Sequence, residues 1–317
     1  MTALPCIVIV PVFNEASTIG ALIERIAATS TGGWTLVVVD DGCTDDTIEH
    51  LSAAAATTDP SQLSIRLVTL SRNFGHHRSL LAGLEAALRE AESSGVGRIA
   101  VIDADLQDRP EDLRILLDAS LDKDVAYAVR ASRRESLLFQ LAAGLFYKGL
   151  ARWARSPVPA NAGTYSVLSL RAARAMLENA DENVFFPGLR AWVGFDQTAV
   201  PLDRDARGEG RSRVGIRGLV RLAIGALFGY SRLPLHLMVL ISAASLVLSA
   251  IATIVMVILK ITEQVAVEGI PLLVVLIFFS LSVLGVFLTI LAYMVSRNPA
   301  PTQVRAIYVI ADESCLN

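Results

Sequence analysis

Two aspartates one residue apart, Asp103 and Asp105, close an apolar run that begins at Ile99. Read as a strand, Ile99–Ile102 would set both side chains on one face, because side chains alternate along an extended chain. Carboxylates this close repel unless a cation lies between them. Hard oxygen ligands suit Mg2+ or Mn2+, and Mg2+ brings phosphate oxygens with it. The chemistry in view is a metal–diphosphate site. Alone, Asp-x-Asp is also an ordinary polar strand end, so the neighbouring stretches must decide.

Those stretches alternate strand and helix. Strands are expected over Cys6–Val10, stopped by Pro11, then over Leu36–Val39, Ile65–Leu70, Ile99–Ile102 and Asp124–Val129. Helices are expected from a Ser17 cap to about Ala28, with Ile19, Leu22, Ile23 and Ile26 on one face, and over Thr44–Ala56 and Arg78–Ala91, with another opened by Pro110. Apolar strands separated by helices predict a mostly parallel sheet covered on both faces. Four consecutive strands end in polar loops: Pro11–Glu15, Asp40–Gly42, Ser71–Gly75 and Asp103–Asp105. In a parallel sheet these share one edge, where open α/β sheets bind ligands. Further on, Glu135–Arg155 reads as helical, with Lys148, Arg152 and Arg155 on one stripe: a solvated face, or contact with an anionic lipid surface.

Of the 317 residues, 53% are hydrophobic, and the mean hydropathy of +0.51 is high for a soluble chain. The excess sits near the C-terminus. Leu235–Leu259 and Ile270–Val295 lack Asp, Glu, Lys and Arg, and each exceeds the roughly 20 residues that span a bilayer. Two transmembrane helices are expected. Arginines cluster before the first (Arg211, Arg213, Arg217, Arg221, Arg232) and after the second (Arg297, Arg305). The positive-inside rule then places both chain ends in the cytoplasm. Ile216, Leu219, Val220, Ala223, Ile224 and Leu227 form an apolar stripe beside Arg217 and Arg221, as in a helix lying in the membrane interface. No signal peptide is evident in Met1–Cys6. A formal net charge of −3 argues against nucleic-acid binding. Cys6, Cys43 and Cys315 show no metal spacing and fit a reducing compartment.

Taken together, Val-Pro-Val-Phe-Asn-Glu (10–15), Val-Val-Asp-Asp-Gly-Cys-Thr-Asp-Asp-Thr (38–47), Leu-Ser-Arg-Asn-Phe-Gly-His (70–76) and Asp-Ala-Asp-Leu-Gln-Asp (103–108) resemble the family-2 glycosyltransferases of the GT-A fold. Asn161–Gly163, Trp192–Phe195 and the Arg-x-x-Gly-x-Ser-Arg run of 207–213 extend the likeness. It covers nearly the whole chain and is nearest to polyprenyl-phosphate sugar transferases with a C-terminal transmembrane pair. The resemblance implies a Rossmann-like GT-A catalytic domain over 1–210, a juxtamembrane amphipathic helix over 211–233, two transmembrane helices within 234–296 and a cytoplasmic tail, 297–317. Pro11, Asn14, Glu15, Asp40, Asp41 and Asp103 would bind the nucleotide. Asp103, Asp105 and Gln107 would hold Mg2+ or Mn2+ against the donor diphosphate. Arg130 would stand near the phosphates, and Arg207, Ser212 and Arg213 would close over donor and acceptor.

The implied reaction is inverting transfer of a sugar from a UDP- or GDP-sugar to a polyprenyl phosphate, by a multi-pass protein of the plasma membrane, with its catalytic domain in the cytoplasm. Homo-oligomerisation is compatible with it. A phosphate monoester is largely ionised near neutral pH and needs cationic positioning more than a base; His76 and His77 fit a loop or helix start as well as a base. The chain also departs from the family. Many relatives follow Asn-Ala-Gly with an acidic residue, an aromatic and an arginine, the last meeting the acceptor phosphate; here stand Thr164, Tyr165 and Ser166. Cys43 replaces a usual serine, and His77 a Gln or Glu. Three other readings compete. A glycolipid or diacylglycerol acceptor would need a base, with Asp108 nearest; a membrane partner that keeps the fold without catalysis is the second. A dehalogenase-type phosphatase would want Asp-x-Asp on its first strand.

Overall fold

A computed structural model describes residues 4–31, 33–130, 162–181, 184–205, 270–297 and 306–317, with isolated positions between 241 and 262. Its centre is four parallel strands: β1 (Ile7–Val12), β2 (Trp34–Asp40), β3 (Leu63–Leu70) and β4 (Arg98–Val101). Helices α1 (Ile19–Thr29), α2 (Thr47–Thr57) and α3 (His76–Ser94) connect them. A 3-10 turn (Pro110–Asp112) and α4 (Leu113–Ala119) lead to β5 (Val125–Arg130). Beyond it come β6 (Ala162–Ser169), α5 (Leu170–Glu178), α6 (Phe186–Trp192) and β7 (Gln197–Leu202). The last described elements are α7 (Ile270–Arg297) and β8 (Ile310–Cys315).

The sheet order is β7-β5-β6-β4-β1-β2-β3-β8. β6 runs antiparallel to both β4 and β5, and β8 runs antiparallel to β3. The sheet is therefore mixed at β6 and β8, while the other six strands run the same way, in keeping with the mostly parallel sheet expected from the sequence. Alternation along β1 explains its central place: Val8, Val10 and Val12 pack with α1, α2 and α4, while Ile7 and Ile9 pack with α3 on the other face. The strand order changes direction at β1, beside β4. That is the switch point at which such sheets open a crevice.

Pro11 does not stop β1 but lies inside it, opposite Val39 of β2. Ile9 presents its carbonyl toward β4, accepting from Ile102, so the proline two residues on turns its missing donor the same way. β4 has ended at Val101, and no ladder bond is lost. α1 likewise starts after Thr18 with no side-chain cap bond, so Ser17 is not its cap.

The chain divides into two compact units, 1–219 with 306–317, and 220–305. The final stretch, 306–317, thus belongs to the first unit. In the second unit, α7 is a single helix of 28 residues. Among the described residues no helix is long and apolar enough to cross a membrane, so the two expected spans gain no support there. The first expected span, the interfacial helix and the basic stripe of 135–155 lie largely or wholly outside the described residues.

Candidate active site

Hydrogen bonds join the loops after β1, β2 and β3 in series, and His76, at the end of the third, stands 3.4 Å from Asp103 in the fourth. Asn14, in the left-handed region at φ +57°, turns its amide onto the second loop. Its Oδ1 accepts from the Thr44 amide (2.8 Å), and its Nδ2 donates to Thr44 Oγ1 (3.2 Å). The Glu15 amide donates to Thr47 Oγ1 at 2.8 Å, and Thr18 Oγ1 donates to the Glu15 carboxylate at 3.2 Å. Asp41, buried, takes the amides of Phe74 (2.7 Å) and Gly75 (2.9 Å), locking the second loop to the third. Asp40 accepts from the Cys43 amide at 2.8 Å within its own turn. Gly42 makes this possible: at φ +75°, a Cβ there would sit 2.8 Å from the Asn73 nitrogen. The expected nucleotide residues therefore do converge. Asn14, Asp40 and Asp41 meanwhile spend side-chain bonds on the loops themselves.

Cys43 donates to the Val12 carbonyl (3.7 Å) and accepts from the Asn14 amide (3.4 Å), bonds a serine could make. Burial pushes its thiol up to about 12, so it stays protonated.

The fourth loop holds the Asp-x-Asp pair. β4 stops two residues before Asp103, and the chain turns through 104–105, with Leu106 at φ +56°. The two carboxylates are thus not neighbours on one strand face, as sequence spacing suggested; a turn places them. Asp105 Oδ1 accepts from the Gln107 amide at 3.2 Å, fixing that turn. The Asp103 side chain is 23% exposed, with His76 Nε2 3.4 Å from its Oδ1. Thr164 Oγ1 donates to the same oxygen at 2.9 Å. β6 pairs Ser166 with Val101, and continuing that register by two residues sets Thr164 opposite Asp103.

Arg204, just past β7, was not among the expected residues. Its Nε and one terminal nitrogen grip both oxygens of Asp108, and it lies 3.7 Å from Asp103 Oδ2. Asp108 is buried; burial raises its pKa, the carboxylates of Asp103 and Asp105 add to that, and Arg204 opposes it. The sequence offered no sign of this pair, 96 residues apart.

Arg190 on α6 was missed too. It is 1% exposed, donates to the Gly163 carbonyl at 2.9 Å and lies over the Tyr127 ring at 4.4 Å. The β5–β6 register shifts between Tyr127 and Val129, which leaves the Gly163 carbonyl for the arginine. Burial lowers the Arg190 pKa to about 10, so it remains charged at neutral pH. Ser166, where an arginine was expected, is fully buried and donates to the Thr164 carbonyl at 2.8 Å. Tyr127 is its partner on β5. The one fully buried cation of this corner among the described residues thus comes from α6.

His77 packs its ring edge-on against Phe185, with a buried Nδ1 that has no partner among the described residues. Burial, with His76 adding to it, lowers its pKa to about 3. It is a neutral packing residue, as a helix-start reading allows. Arg130 ends β5, with its side chain outside the described residues, as are Arg207, Ser212 and Arg213 entirely.

No group of three or more His, Cys, Asp or Glu is arranged to hold a metal among the described residues. Asp103 and Asp105 nevertheless fit Mg2+ or Mn2+ of the kind held by one or two carboxylates together with substrate phosphates. Both are partly accessible and carry hard oxygens. Gln107 contributes backbone bonds to the loop, its carbonyl accepting from the Asp205 amide at 3.0 Å.

Comparison with known proteins gives a consistent set of likenesses. The model of the family described as glycosyl transferase family 2 matches residues 7–177. An uncharacterised glycosyltransferase of Synechocystis sp. is 30% identical over 310 residues, covering 96% of this chain and 94% of its own. An undecaprenyl-phosphate 4-deoxy-4-formamido-L-arabinose transferase of Yersinia pestis is 30% identical over 246 residues, 75% of this chain and 71% of its own. Among solved structures, glucosyl-3-phosphoglycerate synthase of Mycobacterium tuberculosis, with Mn2+, UDP-glucose and phosphoglyceric acid, aligns at 18% identity and TM-score 0.47. That match covers 71% of this chain and 78% of the other.

Proposed function

Because this chain belongs to glycosyl transferase family 2 and is a glycosyltransferase, we propose that it moves a sugar from a UDP- or GDP-sugar to a membrane polyprenyl phosphate, with inversion. The observation that carries the donor half is the Asp103–Asp105 corner, set at the switch point beside His76 of the third loop and Thr164 of β6. The Yersinia relative, whose name specifies undecaprenyl phosphate, supports the acceptor half.

In this reading Asp103 and Asp105 hold Mg2+ or Mn2+, which would act as a Lewis acid on the departing diphosphate. The lipid phosphate, its second pKa about 6, arrives ionised. One of its oxygens attacks the anomeric carbon as the bond to the diphosphate breaks on the opposite face. The chain's task is alignment, which the resemblance gives to Arg130, Arg207, Ser212 and Arg213. A glycolipid hydroxyl would need a general base instead. Asp108 is badly placed for that: it is buried, and Arg204 holds both its oxygens.

The apolar runs 235–259 and 270–295 would anchor the protein in the plasma membrane, the basic 211–233 segment lying at its cytoplasmic face. Support comes from composition and from topology. Residues 306–317 belong to the same compact unit as 1–219, as an even number of crossings would require. That agrees with both ends lying on one side, the side rich in arginine.

The test is to incubate membranes carrying the protein with radiolabelled UDP- and GDP-sugars and a polyprenyl phosphate. Divalent-metal-dependent, acid-labile, lipid-linked sugar is expected, with Asp105→Ala lowering the rate at least about a hundredfold, as loss of a main electrostatic group does. Full activity in Asp105→Ala would dismiss the metal assignment, and no product from any donor would dismiss the reaction.

A further inference from the structure

The Arg204–Asp108 pair has the form of a clamped cation. Asp108 is the buried member, its side chain 3% exposed, and Arg204 the accessible one at 22%. The grip uses Nε and one terminal nitrogen. A guanidinium has more N–H donors than one carboxylate can take, so the fork keeps donors beyond those given to Asp108. The segment that carries it is tied down as well: Asp205 pairs with Arg109, and its amide donates to the Gln107 carbonyl at 3.0 Å. Arg204 therefore stands rigidly at the edge of the Asp-x-Asp loop, 3.7 Å from Asp103.

We propose that Arg204 is a phosphate-binding residue of the active site, clamped by Asp108 so that its free donors take an oxygen of the donor diphosphate. The inference deepens the nucleotide-sugar reading and rests on it. Three carboxylates, Asp103, Asp105 and Asp108, meet here beside this one guanidinium among the described residues. Such a corner repels a diphosphate unless cations balance it, and a single divalent ion leaves the balance short. A phosphate seated against Asp103, directly or through a cation, lies within reach of a group already beside that carboxylate. Arginine suits the place because its planar fork can grip Asp108 through two N–H groups and still present others to a phosphate, whereas a lysine offers all its donors from one nitrogen. Asp108 then is a positioning residue, and its burial is what keeps the fork from swinging out.

The competing account is an ion pair that only ties two loops together. Removing one partner would strand a buried charge, so the informative variant is the neutral pair Arg204→Gln/Asp108→Asn, which keeps hydrogen bonding without charge. The full chain in detergent micelles is titrated calorimetrically with UDP, GDP, uridine, guanosine and a polyprenyl phosphate, in EDTA and again with Mn2+. Expected is a roughly 10- to 100-fold loss of affinity for whichever nucleoside diphosphate the wild type binds, present in EDTA too. Binding of the bare nucleoside and of the polyprenyl phosphate should hold, as should the melting temperature. Arg204→Lys should recover part of the loss, and it carries the test if the double variant melts early. Unchanged diphosphate affinity overturns the proposal, and so does a loss confined to polyprenyl phosphate, which would assign the guanidinium to the acceptor. If the wild type binds neither UDP nor GDP, the donor reading falls first and takes this inference with it.

Discussion

Thr164 shows how one side chain alters a site that a family pattern outlines. Where an acidic residue is usual, it offers a hydroxyl, and that hydroxyl donates to Asp103 Oδ1 at 2.9 Å. The bond holds the carboxylate in one rotamer and adds no charge to a corner already rich in carboxylates. Thr164→Val keeps the shape and removes the donor. We expect about 1.5–3 kcal/mol less stability from the lost bond to a charged group, with a several-fold higher metal requirement read from the Mn2+ dependence of turnover. An unchanged metal titration would show that Thr164 does not tune Asp103.

His77 carries the pH dependence at the same scale. Its folded pKa of about 3 lies below the ordinary value of 6.5, so the unfolded chain binds the proton more tightly. Stability is therefore full above about pH 6.5 and falls as pH drops toward 3, by about 1.4 kcal/mol per pH unit. His77→Phe should remove that slope, flattening melting temperature between pH 6.5 and 5 while matching the wild type at pH 8. If both proteins lose stability in parallel over that range, other groups are responsible.

Among the elements, α3 brings the end of the third loop against the fourth. It starts at His76 beside Asp103 and crosses the sheet so closely that a Cβ at Gly83 would meet Ile9 Cγ2 at 2.4 Å and Val39 Cγ2 at 2.9 Å. Gly83→Ala should therefore cost about 1–3 kcal/mol through overpacking, despite alanine's better helix propensity. Thermal denaturation of the full chain reads it, and a neutral or stabilised variant would mean that β1 and β2 yield easily. The helix itself was legible, because Leu80, Leu81, Leu84 and Leu88 repeat on the side buried against the sheet. β6 and β7 were not, since Thr164–Ser169 reads as short and mixed, and β7 alternates partly exposed residues with exposed ones. What makes them strands is pairing: β6 fills the space between β4 and β5, and β7 has only the edge of β5 to hold.

For the whole molecule, the C-terminal stretch matters more than its composition suggests. β8 covers the edge of β3, and the Asn317 side chain accepts from the Ile65 amide (2.8 Å) and donates to the Leu63 carbonyl (3.1 Å). Tyr308 adds a bond from its hydroxyl to Glu85 at 2.5 Å. Truncation after residue 305 would bare the ladder groups of β3, an edge that invites pairing with other chains. We expect the truncated protein to aggregate and melt lower, measured by light scattering and thermal shift in the same detergent. A monodisperse, equally stable product would show that the strand is dispensable.

The amino-acid sequence by itself determined the family, the four central strands with their polar ends, and the apolar character of the C-terminal third. Each depends on residues close together in the chain: β-rich runs, turn residues at strand ends, and long stretches without charge. The tertiary structure alone decided what those loop residues do. Asn14 and Asp41 lock neighbouring loops, Asp108 holds Arg204, Arg190 takes the Gly163 carbonyl, and the last residues return to close β3. The physical reason is sequence separation. A hydrogen bond or ion pair between residues tens to hundreds of positions apart leaves no periodic trace, because the sheet, and not the local chain, brings the partners together.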